Sequence, residues 1–234
     1  MSPIQLVPKD KVVCGVRLNL VSGNNAKVWG IDAGLVNITG AFSGLQIGLL
    51  NGFVDWLDPT YKISNATSYG LQLGGADTVD NMTGGQVGLT THAGIMNGVQ
   101  VGVINVGLDM AGIQVGGVGN YSRNMTGIQI GTLGNIARQV RGVQVALILN
   151  ANVFMDSNMS GVQIGLVNAI GGLGHMSGVQ IGLVNAIGGH MTGVQVGLIN
   201  TCTYLTGVQI GLINIASSGE RAIPFLPLMN VGFY

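Results

Sequence analysis

The stretch Met176-Ser177-Gly178-Val179-Gln180-Ile181-Gly182-Leu183-Val184-Asn185 decides the fold, because it recurs along nearly the whole chain. With Gly178 as the marker, equivalent glycines stand at Gly15, Gly30, Gly44, Gly70, Gly84, Gly98, Gly112, Gly127, Gly142, Gly161, Gly193 and Gly207. Ten of the twelve intervals between these thirteen copies are 14–17 residues; the exceptions are 26 (Gly44 to Gly70) and 19 (Gly142 to Gly161). A short fixed period marks a repeat architecture, in which each copy buries its inner face only by stacking on its neighbours.

The columns are sharp. Glutamine stands two after the marker in eleven copies, and the remaining two carry Arg17 and Asp32. Glycine follows at plus four in eleven copies, with Asn19 and Ala146 as exceptions. Seven of the ten methionines sit two before the marker, and asparagine occupies plus seven in seven copies. Within a copy, Val179, Ile181 and Leu183 alternate with Gly178, Gln180 and Gly182. A period of two with β-branched residues predicts strand. So many glycines would also weaken a helix by about 1 kcal/mol each against alanine. The alternation is expected to turn the Val/Ile/Leu column inward and leave Gln and Gly on the opposite face. Gln100, Gln114, Gln129, Gln163, Gln180, Gln195 and Gln209 would then form an outward self-association face.

The fold class expected is all-β, a β-solenoid of about thirteen 14–17-residue repeats, with an up-and-down β-barrel as the alternative. Parallel in-register stacking places like residues side by side, so amide and Met columns complement themselves. A meander reverses at every strand and scatters the columns. Stacking also pairs the oppositely charged Arg17 and Asp32. The longer intervals after Gly142 and Gly161 follow consecutive copies rather than alternate ones, and the repeats lack the aromatic girdles of membrane barrels. The aromatic end, Phe233-Tyr234, points the other way.

The organisation expected is an N-terminal cap at 1–13, a repeat array at 14–218 with an insertion at 52–69, and a C-terminal cap at 219–234. Such caps shield the open sheet edges of a solenoid. The 234 residues include 41 glycines but only nine Lys/Arg and nine Asp/Glu, for a formal net charge of zero. That excludes a charge-rich disordered chain and leaves no basic stripe for nucleic acid. The five prolines are too few for collagen. No window of 18 uninterrupted apolar residues predicts a membrane helix. No basic region followed by an apolar stretch opens the chain, so no signal peptide is visible.

The GVQIGLVN copies, led by GVRLNLVSG and GIDAGLVN, resemble a bacterial surface repeat-containing family over about Gln5 to Phe233. That resemblance implies an extracellular or outer-membrane-surface setting and transfers no catalytic residue. The Gln-x-Gly-x-x-Asn spacing at Gln163, Gln180, Gln195 and Gln209 is also similar, more weakly, to curli-type fibre subunits. The function expected is a structural or interaction protein that self-associates into a homo-oligomer or filament. The alternatives are an outer-membrane barrel passing small solutes and an ice-binding solenoid, the latter from seven Ser/Thr residues just before marker glycines.

Several side chains invite chemistry. The 52–69 insertion carries Asp55, Trp56, Asp58 and Tyr61, an aromatic and acidic set suited to a surface carbohydrate or protein partner. His175 and His190 share a column and would stack, a weak metal motif without a third ligand; His92 lies in another column. Asp77, Asp80 and Asn81 faintly resemble a calcium turn. Six Asn-x-Ser/Thr triplets begin at Asn37, Asn65, Asn81, Asn120, Asn124 and Asn158. Cys14 and Cys202 match no metal or redox spacing and are expected to be unpaired thiols. No nucleophile–base pair or phosphate loop emerges, so neither enzyme activity nor a metal or other cofactor is expected.

Overall fold

A computed structural model describes residues 7–52, 67–217 and 225–233. The described residues contain strand and no helix. The chain is a β-solenoid of stacked coils whose strands hydrogen-bond in parallel from one coil to the next. It divides into two compact units, Met1–Gln114 and Val115–Tyr234. The array of copies gives no sign of this division in the sequence.

β1 (Val12–Asn51) and β2 (Thr67–Gly131) run through successive coils without a break. In the second unit the coils resolve into a long and a short strand. β5 (Asn158–Ile164), β7 (His175–Ile181) and β9 (His190–Val196) are long strands; β6 (Val167–Ile170), β8 (Val184–Ile187) and β10 (Ile199–Cys202) are short ones. Like pairs with like, so that Met159, Met176 and Met191 stand in register, as do Asn168, Asn185 and Asn200. Across the 26-residue interval the register is also kept, with Gly44 opposite Gly70 and Asn51 opposite Asp77. Between β3 (Gly134–Ala146), β4 (Leu149–Asn152) and their neighbours the pairing is likewise parallel. An up-and-down barrel is thereby excluded, since it needs antiparallel neighbours.

The one antiparallel pairing among the described residues joins β11 (Tyr204–Ala216) to β12 (Phe225–Gly232). It lays the C-terminal segment over the last coil, Gly207 opposite Gly232. At the other end, Ala26 donates its backbone N–H to Lys9 O and Asn25 donates to Pro8 O, holding residues 8–9 against the first coils.

All thirteen marker glycines have positive φ, from 104° to 144°. A Cβ there would be strained, and at the markers from Gly30 to Gly112 and from Gly142 to Gly207 it would also collide with the coil before it. At Gly178 it would lie 2.0 Å from Gly161 O, and at Gly84 1.9 Å from Gly70 O. The second glycine column makes room for amides: a Cβ at Gly182 would lie 2.8 Å from the Asn168 amide nitrogen.

Candidate functional site

The interior is the first surprise. The Gln column is fully buried, with 0% exposure from Gln46 through Gln209, and so are most of the asparagines. The Val/Ile/Leu column faces outward instead: Leu166, Leu183, Leu198 and Leu212 are 45–60% exposed. The outward Gln face expected for Gln100, Gln114, Gln129, Gln163, Gln180, Gln195 and Gln209 is therefore corrected. Those side chains are inside the coil and unavailable to a partner. Alternation defines two faces but leaves open which is inside. The deciding signal was the Met column, which shares the parity of the Gln column; Met82, Met96, Met176 and Met191 are at most 1% exposed.

Burying amides is tolerable only when each is paired. Here each glutamine solves that for the next. In the first unit Gln72, Gln86, Gln100 and Gln114 each donate Nε2 to the Oε1 of the preceding Gln, at 2.7–2.8 Å. In the second unit Gln144, Gln163, Gln180, Gln195 and Gln209 repeat the pattern from Gln129 at 2.7–2.8 Å. The asparagines form a second ladder whose donors point the opposite way: Asn120, Asn135, Asn150, Asn168, Asn185 and Asn200 each donate to the following Asn at 2.8–2.9 Å. Asn120, Asn135 and Asn150 stand at plus eight, one position late, so column counting passed over them. Asn37 and Asn120 are ladder members, buried and unable to carry a glycan, although each opens an Asn-x-Ser/Thr triplet.

The first Gln in the column, Gln46, donates to Asp32 Oδ2 at 2.8 Å. Arg17 clamps the same carboxylate with Nε to Oδ1 at 2.7 Å and a second guanidinium nitrogen to Oδ2 at 2.5 Å. The pairing expected from the Gln column is therefore present, and both groups are buried. Arg17 also donates to Asn25 Oδ1 at 2.9 Å.

Other sequence candidates resolve differently. His175 and His190 do stack, with ring centroids 4.8 Å apart, and Tyr204 continues the stack at 4.4 Å. No cluster of three potential metal-binding side chains exists among the described residues. The calcium turn is not formed. Asp77 is buried in the Asn ladder, where it accepts a hydrogen bond from Asn51 at 2.7 Å. Burial pushes its carboxyl up to about 6, against a smaller lowering by that hydrogen bond. Asp80 lies beside His92; burial raises the carboxyl and lowers the imidazole, and their mutual attraction opposes both shifts. Cys14 and Cys202 are free thiols, the latter buried and pushed up to about 12 by desolvation, hence unreactive. Asp55, Trp56, Asp58 and Tyr61 lie outside the described residues.

The outward columns supply the remaining surface. Ile164, Ile181, Val196 and Ile210, with Leu166, Leu183, Leu198 and Leu212, line a shallow apolar depression of about 670 Å³ on the second unit. No charged side chain lines it. No family model, curated protein or solved structure matches this chain.

Proposed function

We propose that the protein is a non-enzymatic structural or interaction protein of the bacterial surface, and that it self-associates through its outward Val/Ile/Leu columns. The observation that carries this reading is the inversion of the repeat: amides inside, aliphatic side chains outside. The ladder amides of the Gln and Asn columns hydrogen-bond to one another within the chain, so the ladders ask nothing of a partner. The outer columns do, because a contiguous apolar surface in water is stabilised by being covered. A second copy is the occupant that fits: it offers the same columns at the same spacing, so side chains of one can seat between those of the other. The aliphatic depression has neither charge nor a hydrogen-bonding array with which to select an unlike partner. The ice-binding alternative has less support, since the Ser/Thr column takes Arg141 in register between Thr126 and Ser160.

Sedimentation velocity over a concentration series tests the reading. The expected result is reversible association of the native chain and a monomer for the variant Leu166→Lys/Leu183→Lys/Leu198→Lys. A native chain that stays monomeric throughout, or a variant that associates equally well, would refute it.

A further inference from the structure

A second outer surface of the Val115–Tyr234 unit has a different chemistry. Residues three and one before the marker glycines form two outward columns in register: Asn124, Gln139 and Asn158 in one, Arg141, Ser160 and Ser177 in the other. Met125, Val140 and Met159 lie between them and are buried, so the columns stand apart as a polar strip over an apolar floor. The strip lines a depression of about 600 Å³. Four strands contribute, giving it a length of ~14 Å at the usual strand spacing.

The long interval from Gly142 to Gly161 builds an adjoining wall. Its extra residues turn at Phe154–Ser157, where Ser157 N donates to Phe154 O and Phe154 N donates to Ser157 Oγ, at 3.1 and 3.0 Å. Arg138 holds that turn by its Asp156 carboxylate, with Nε donating to Oδ1 at 2.9 Å and a second guanidinium nitrogen to Oδ2. Gln139 and Asn158 donate to Asp156 O at 2.7 and 3.2 Å, which leaves their amide oxygens as acceptors beside the depression.

Charge is concentrated here. The described residues of this unit carry only Arg123, Arg138, Arg141 and Asp156, all on the coils that shape the depression. Asp156, the only carboxylate side chain among them, is engaged by Arg138. Arg141 lines the depression itself. His175 lines the depression at its far end, with one face stacked on His190, which in turn stacks on Tyr204.

We infer that this strip binds a short anionic oligosaccharide bearing carboxylate or sulfate groups. The acid group would sit on the Arg141 guanidinium, while sugar hydroxyls exchange hydrogen bonds with Gln139, Asn158, Ser160 and Ser177. Hydroxyl, amide and guanidinium groups in this mixture match a polyhydroxylated anion. A nucleic acid would require many more cations, since its binding grows with each phosphate neutralised. The length suits about three sugar units, at ~14 Å from the strand spacing.

Isothermal titration calorimetry on the full chain tests this with four probes: an oligogalacturonate, a sulfated heparin oligosaccharide, neutral cellohexaose and single-stranded DNA. The expected result is binding of one or both anionic glycans, weakened about tenfold by Arg141→Gln, as for loss of one charge-assisted hydrogen bond. The charge-matched control Lys27→Gln leaves binding unchanged, and circular dichroism checks that both variants keep the native fold. Binding of the oligogalacturonate alone assigns a carboxylate, and of the heparin fragment alone a sulfate; either supports the inference. It is overturned if neither anionic glycan binds, if cellohexaose binds as well, if Arg141→Gln binds like the native chain, or if DNA binds more tightly than both glycans.

Discussion

Replacing Asp77 with asparagine is expected to stabilise the protein at neutral pH. In the first unit the ladder runs Asn37 to Asn51 to Asp77, with donor distances of 2.8 and 2.7 Å. Each asparagine in it uses its amide nitrogen twice, on the next side chain and on a backbone carbonyl of the next coil; Asn51 donates to Leu73 O at 2.9 Å. Asp77 occupies the same place with an oxygen where the nitrogen belongs. A Cβ on Gly74 would meet the Asn51 amide nitrogen first, and the corresponding atom near Gly88 is Asp77 Oδ2, at 2.9 Å. That oxygen is buried without a hydrogen-bond partner.

The magnitude follows from the carboxyl, raised from 3.8 to about 6. Two pH units correspond to about 3 kcal/mol between the protonation states. The sign is set by proton binding: the folded chain holds this proton more tightly than the unfolded chain does. Its stability contribution is thus complete below the unfolded value near 4 and is lost as pH rises through about 6. Asp77→Asn supplies the missing donor and removes the titration. Urea denaturation at about pH 4 and about pH 7 should show the native chain losing about 3 kcal/mol on the alkaline side relative to the variant. A variant less stable than the native chain at neutral pH, or one with the same pH dependence, would refute the reasoning.

Gly178→Ala places a methyl group against Gly161 O in a backbone with φ of 136°, so it should cost more than about 2 kcal/mol; a thermal midpoint within error of the native chain would contradict this. Gln180→Leu strands the Gln195 donor and removes the donor to Gln163, and a denaturant midpoint lowered by the equivalent of about 2–5 kcal/mol is expected. Arg17→Gln leaves Asp32 buried without its counter-charge and should cost about 3–5 kcal/mol, whereas Arg17→Gln/Asp32→Gln extends the Gln ladder and should recover most of that loss. Equal stability of the single and double variants would show that the pair is not a charge problem.

The solenoid was legible because like residues recur in columns, and only parallel stacking makes columns useful. The Arg17–Asp32 pair was legible for the same reason, as a charge complement in one column. The direction of the faces was not. Hydrophobicity argued for Val179, Ile181 and Leu183 inside, yet Met176 and Gln180 lie together on the other parity and both are buried. The usual penalty on a buried amide falls away when an identical amide sits one strand spacing away, and a residue-by-residue hydropathy reading has no term for that. The polar strip was hidden for a different reason. Gln139, Asn158 and Arg141 are unlike one another, so they leave no column; only the register makes them neighbours.

The two amide ladders also explain where the buried carboxylates sit. Gln donors point towards the N-terminus and Asn donors towards the C-terminus, so each ladder ends in an amide nitrogen that needs an acceptor. In the first unit Asp32 receives the donor end of the Gln ladder and Asp77 receives that of the Asn37–Asn51 segment. In the second unit the Asn ladder closes on neutral acceptors: Asn214 donates to Gly211 O and Leu226 O at 2.8 and 3.1 Å. A carboxylate serves a ladder end only if its second oxygen and its charge are also met. Arg17 does this for Asp32, but Asp77 has Asn51 on one oxygen and nothing on the other. Polarity of the ladders thus fixes where an acceptor is needed, and where that acceptor is an acid, a neighbouring cation determines whether it closes the ladder or weakens it.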